Sequence, residues 1–194
     1  MKKYLFISVL LGCYMSCLSA QPKTYFPAGA NDTLHLNTFE VKWFSEQLAA
    51  LEEPVIFNDS TGFEGYRFTW LRTFHNPIAI RIEKQGDEYW LFWKKCDGAG
   101  GYAPGEIITD RKRKIEIKDW AAFQKKVDSI DFWKMPARIR NYGNDGAEWI
   151  LEGRVNGTYH VVDRWSPDSA NAYFRCCYFL VQLTRMKIRE RDVY

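Results

Sequence analysis

The chain has 194 residues, 46% of them hydrophobic and 26% charged, which suits one globular domain and excludes a disordered or collagen-like polymer. Its 27 Lys and Arg stand against 24 Asp and Glu, and a net charge of +3 gives no footprint for a nucleic-acid partner. Rings are abundant, with eight Trp, eleven Tyr and thirteen Phe.

Met1-Lys2-Lys3 is a short positive start, and Tyr4 to Leu11 is an apolar run. Ser19-Ala20 then supplies small residues. This pattern predicts a signal peptide over residues 1–20, cleaved between Ala20 and Gln21, and a periplasmic or secreted product. The alternative is a lipoprotein. Leu10-Leu11-Gly12-Cys13 matches a lipobox but leaves a very short signal, and Cys17 has Tyr14 three residues before it, a poor fit. Removal of residues 1–20 takes two lysines and no acids, leaving 25 bases against 24 acids, a net of +1. No later stretch reaches the ~20 apolar residues of a membrane span.

Residues 21–37 read as an extended lead segment, and residues 38–194 as a single domain. Asn37 and Glu40 form a capping-box pattern ahead of Val41, Phe44, Leu48 and Leu51 at helical spacing, with Pro54 as the stop. Residues 66–74, 77–84 and 88–96 alternate and are rich in aromatic and β-branched types. His75-Asn76 and Gly86-Asp87 are read as their tight turns, giving an antiparallel meander. Residues 97–105 are a Gly-rich loop, read as a flexible rim. Residues 106–109 and 114–117 are assigned to a short hairpin with a basic tip at Arg111-Lys112-Arg113. A second helix fits 118–134, on the stripe Trp120, Phe123, Val127 and Ile130. Residues 147–154 and 158–165 form a hairpin around Asn156-Gly157, a type I′ signal. The third helix is placed from Ser166 as N-cap, with Pro167 in first position and Tyr173, Cys177, Leu180 and Thr184 along one side. The expected fold is α+β: an antiparallel sheet of five to seven strands packed with about three helices in two layers.

Several residue sets carry this reading together. They are Glu148-Trp149-Ile150-Leu151-Glu152-Gly153 with Tyr159 to Pro167, Trp70-Leu71-Arg72-Thr73-Phe74-His75, and Gly98-Ala99-Gly100-Gly101-Tyr102. In them the chain resembles a family of uncharacterised exported bacterial proteins over most of residues 60–185. The resemblance implies a single domain and transfers no activity and no catalytic residues.

Strand register then nominates surfaces. With the turns above, Ile82 pairs with Leu91 and Ile80 with Trp93, on one face with Thr69 and Leu71 as core. The other face would carry Trp70, Arg72, Arg81, Trp90 and Phe92, with Trp70, Arg81 and Phe92 side by side across three strands. Neighbouring strands lie ~4.8 Å apart, so an Arg there can stack on both rings. This aromatic and cationic platform, with Tyr102, Arg164 and Trp165 as a rim, suits a protein or an envelope glycan. The competing reading is a second core covered by a helix or by the C-terminal segment.

An enzyme is the alternative function: a small envelope hydrolase using His160 with Asp163 or Glu152. His160 faces Gly153 in the expected hairpin, which leaves space for a ligand or water. Glu148 and Glu152 lie four residues apart on a strand, ~13 Å, beyond the ~5–9.5 Å of glycosidase acid pairs. His35, His75 and His160 show no metal-ligand spacing, no phosphate-loop or dinucleotide motif is present, and no cofactor is expected. Cys96 ends a strand and is expected to be buried or, in an oxidising compartment, bonded to Cys176 or Cys177; adjacent helical cysteines point ~100° apart, and Cys177, the more core-facing, is the partner chosen.

Overall fold

The computed structural model describes residues 23–29, 35–58, 62–139 and 143–194. The expected signal peptide, Cys13 and Cys17 lie outside them. One six-stranded antiparallel sheet dominates, in the order β4-β3-β2-β1-β5-β6. The strands are β1 (Gly65–Arg72), β2 (Ile78–Gln85), β3 (Glu88–Cys96), β4 (Ile107–Ile115), β5 (Ala147–Val155) and β6 (Thr158–Trp165). Helices α1 (Thr38–Ala50), α2 (Ile117–Ser129) and α3 (Ala172–Thr184) complete the α+β arrangement.

Local chemistry sets each boundary. Asn37 and Glu40 close the capping box on α1. Asp131 in the left-handed region ends α2, and the expected continuation to 134 becomes a single 3-10 turn, Phe132–Lys134. Asn156 and Gly157 both take positive φ between β5 and β6, as a type I′ turn requires. Ser166 does not cap α3. Its hydroxyl accepts from Ala147 N at 2.9 Å and its own N–H bonds Ala147 O, so it closes the β5–β6 ladder. The α3 cap is Asn171, whose side chain accepts from Tyr173 N.

Residues 107–115 form one continuous strand, so the basic run is the middle of an edge strand and not a hairpin tip. The segment contains no Gly, Asn or Pro to make a turn.

The sheet has cores on both faces. On the first, Tyr66, Phe68, Trp70, Ile80, Ile82, Trp149 and Leu151 pack with α2 and α3. On the second, Leu71, Ala79, Cys96 and Ile150 pack with Phe44 and Leu48 of α1, with Leu51 at its C-cap, and with Tyr25 and Phe26 of the lead segment. This second covering adds a layer to the two expected. β1 lies at the centre and is buried along its whole length.

Candidate functional site

The β1–β2 register decides where the nominated rings go. Tyr66 pairs with Ile82, Phe68 with Ile80 and Trp70 with Ile78. The connection runs over Thr73–Pro77, longer than the two-residue turn expected, and the shift of register is odd. An odd shift moves every side chain of the strand to the opposite face. Trp70 is therefore fully buried in the first core, away from Arg81. Its indole N–H and that of Trp149 both donate to Tyr194 O, at 3.1 and 2.9 Å. Arg72 shares that face. It stacks on Trp70 at 4.2 Å and donates to Asp192 O and Asn76 O. Burial lowers its pKa to about 10. The C-terminal segment thus covers both.

Arg164 also turns to the first face, where it is buried over the Tyr173 ring and donates to Asp163 O and Pro136 O. Burial lowers its pKa. Trp165 is half-buried, and a Cβ on Gly146 would come within 2.4 Å of its ring. Tyr102 is exposed and stacks on exposed Phe74 at 6.3 Å. Its loop is not a free rim: Gly98 and Ala99 N–H bond Pro104 and Ala103 O, Gly100 N–H bonds His75 O, and Gln47 holds Tyr102 O at 2.7 Å.

The second face carries a chain of buried ions. Arg67 binds Glu152 through Nε and Nη2 at 2.7 and 2.8 Å and donates to Pro54 O, while Tyr159 donates to Glu152 at 2.9 Å. Arg81 pairs with Glu53 and Glu83. Burial raises Glu152, against the pull of Arg67.

Toward β3 and β4 this face opens. Arg81 pairs across the strands with Phe92, and Phe92 with Lys112. Glu83 pairs with Trp90, and Trp90 with Lys114. The Arg81 guanidinium sits 4.7 Å from the Phe92 centroid and Lys112 Nζ sits 5.7 Å from that of Trp90. Trp90 and Phe92 are half-buried and belong to neither core cluster. Arg81, Trp90 and Phe92 of the expected platform are therefore together. Lys112 and Lys114 join them, residues that the hairpin-tip reading had sent elsewhere.

The hydrolase set is not assembled. His160 lies on the first face, its Nε2 2.9 Å from Met135 O and its ring edge-on to Phe132. Burial lowers its pKa. The room expected opposite Gly153 is filled, since a Cβ there would meet Tyr66 Cε1 at 2.8 Å and Phe132 Cε1 at 2.9 Å. Asp163 and Glu152 alternate onto the second face. Asp163 instead meets Glu148, its diagonal neighbour, with Arg138 Nε 4.0 Å from Asp163 and Arg138 also paired to buried Glu40. Burial, then the Glu148 charge, pushes Asp163 well up, and burial likewise raises Glu148.

Cys96 and Cys177 are both free and sit in different cores on opposite faces, so they form no disulfide. Burial raises Cys96 to about 11 and Cys176 to about 12. Among the described residues no group of three His, Cys, Asp or Glu is arranged to hold a metal ion. No helix among them is long and apolar enough to cross a membrane.

No protein-family model, curated protein or solved structure matches the chain.

Proposed function

We propose that the chain is an exported, non-enzymatic interaction domain that engages a protein or an envelope glycan through the β3–β4 end of its sheet. The observation that carries this reading is the pair Trp90 and Phe92, half-buried outside both cores with Lys112 and Arg81 over their rings. Rigid rings supply contact area at little entropic cost, and cations beside them supply directional donors. Export rests on the pattern of residues 1–20. The hydrolase alternative draws no support from His160, whose face carries neither Asp163 nor Glu152.

The test is retention of the purified protein on an envelope extract and on a panel of envelope glycans. Trp90→Ala and Phe92→Ala should each weaken retention by about tenfold or more, as hot-spot rings do. Their unfolding should stay cooperative. Undiminished retention, or loss of cooperative unfolding in both, contradicts the reading.

A further inference from the structure

The two edges of the sheet are finished differently. At the β6 edge, Asp163 N–H bonds Ala137 O at 2.7 Å, and Arg138 bridges Asp163 as a short parallel pairing. Arg164 and His160 hold Pro136 O and Met135 O. That edge is covered. At the β4 edge, no backbone hydrogen bond outside the sheet reaches Ile107–Ile115 among the described residues.

The phase of the ladder says which groups are open. Cys96 N–H bonds Pro77 O, so the even-numbered residues of β3 face β2 and the odd-numbered ones face β4. On β4, Thr109, Arg111 and Arg113, paired with Lys95, Trp93 and Leu91, bond inward. Asp110, Lys112 and Lys114 turn their N–H and C=O groups to the free edge, while at Ile108, opposite the Lys95–Cys96 step, the register shifts. The strand is nine residues long, ample for pairing.

We propose that this edge takes up an extended acidic segment of a partner protein as a seventh strand. The proposal rests on the interaction reading above and names the partner of the same surface. Charge selects the occupant. Arg111, Lys112, Arg113 and Lys114 are consecutive, against one acid, Asp110, within the strand. Alternation sends Lys112 and Lys114 to the Trp90–Phe92 face and Arg111 and Arg113 to the other, so an added strand lies between two cationic rows. Arg113 is partly engaged with Leu183 O, Lys114 with Glu88 and Asp110 with Lys94, all within 4 Å. Arg111 and Lys112 are exposed. A second copy is disfavoured, because antiparallel self-pairing centred on Lys112 sets Lys112 opposite Lys112 and Arg111 opposite Arg113, with only Asp110 and Lys114 as opposite charges. An acidic strand gains backbone bonds and cross-strand pairs together, the mode by which sheet edges recruit peptides.

The probe is a capped nine-residue peptide of alternating Glu and Thr, with a Lys-for-Glu counterpart, added at millimolar concentration to the full chain. The readout is amide hydrogen exchange. The Glu peptide should slow exchange at Asp110, Lys112 and Lys114 by about tenfold or more, with no change from the Lys peptide. Lys112→Pro removes an outward N–H and no bond to β3, so it should abolish the protection and leave the fold intact. Lys112→Glu with Lys114→Glu should weaken binding at least about tenfold, and covers the case in which the proline variant fails to fold. Charged edge strands also serve to repel other strands. If that is all β4 does, the Glu peptide fails to bind, which overturns the proposal. Binding without protection of those amides, or equal binding of the Lys peptide, overturns it as well. Retention that depends on Trp90 while β4 stays unprotected would leave the interaction reading standing and remove this inference alone.

Discussion

The centre of the sheet and its β3–β4 end hold rings in different company. At the centre, Trp70 and Trp149 are fully buried, 5.0 Å apart, with both indole N–H groups held by Tyr194 O. At the end, Trp90 is half-buried, its indole N–H reaches the exposed Glu88 at 3.2 Å, and a lysine stands over its face. Most rings build cores on both faces of β1. Phe74 and Tyr102 stand exposed against each other at the Gly-rich loop. The Trp90–Phe92 ribbon on β3 is half-buried, and it has cations over its rings.

The sharpest way to break this contrast is at the buried ions of the central strands. Arg67→Met leaves Glu152 buried without its partner and should cost about 3–5 kcal/mol, while Arg67→Met with Glu152→Leu should restore much of that loss. Urea denaturation reads both. Trp70→Ala should cost about 3–5 kcal/mol, as large-to-small changes in a core do. Trp90→Ala should cost less than about 1 kcal/mol by the same assay, in keeping with a partly exposed ring. Equal losses at the two tryptophans would erase the distinction.

A smaller effect comes from the Glu148–Asp163 pair. Both acids hold their protons to higher pH in the folded chain than in the unfolded one. Above the ordinary carboxylate range the folded state binds more protons, so stability falls as pH rises toward the folded values. Each pH unit in that window, for each proton retained only in the folded state, costs about 1.4 kcal/mol. The Arg138 charge pulls both acids back down, and the Arg164 charge does so for Asp163; Arg138 is itself shared with Glu40. Asp163→Asn should flatten the slope of the urea midpoint against pH; an unchanged slope refutes the assignment. The mildest effect concerns the thiols. Cys96, Cys176 and Cys177 should resist alkylation in the folded protein and all react after denaturation, as intact mass will show. A mass lower by two hydrogens per bridge would restore the disulfide.

Much of the fold was legible because its signals are local. The capping box at Asn37, the Asn156-Gly157 turn and the helical stripe Trp120-Phe123-Val127 each specify an element without distant help. The site was legible only in part, because faces depend on register. The Gly86-Asp87 turn places Arg81 opposite Phe92 correctly. The His75-Asn76 turn was too short, and the odd shift exchanged Trp70 for Arg67 beside Arg81. A signal against that turn was present: Tyr66, Phe68 and Trp70 alternate as a wholly apolar set matching Ile78, Ile80 and Ile82, whereas Arg67 needs the counter-ion that Glu152 supplies. For β4, the absence of any Gly, Asn or Pro across 107–115 already argued for an unbroken strand. The meeting of Glu148 with Asp163, and the filling of the space beside His160 by Phe132, arise from side-chain packing between distant segments, which strand alternation alone does not encode.

The most direct test of the central claim is one paired measurement on Trp90→Ala with Phe92→Ala: retention on envelope extract and the urea midpoint of the same sample. The account predicts that retention is lost while the midpoint moves by no more than the small cost of two partly exposed rings. Retained binding with an unchanged midpoint, or a collapse of stability comparable to that of Trp70→Ala, would contradict it.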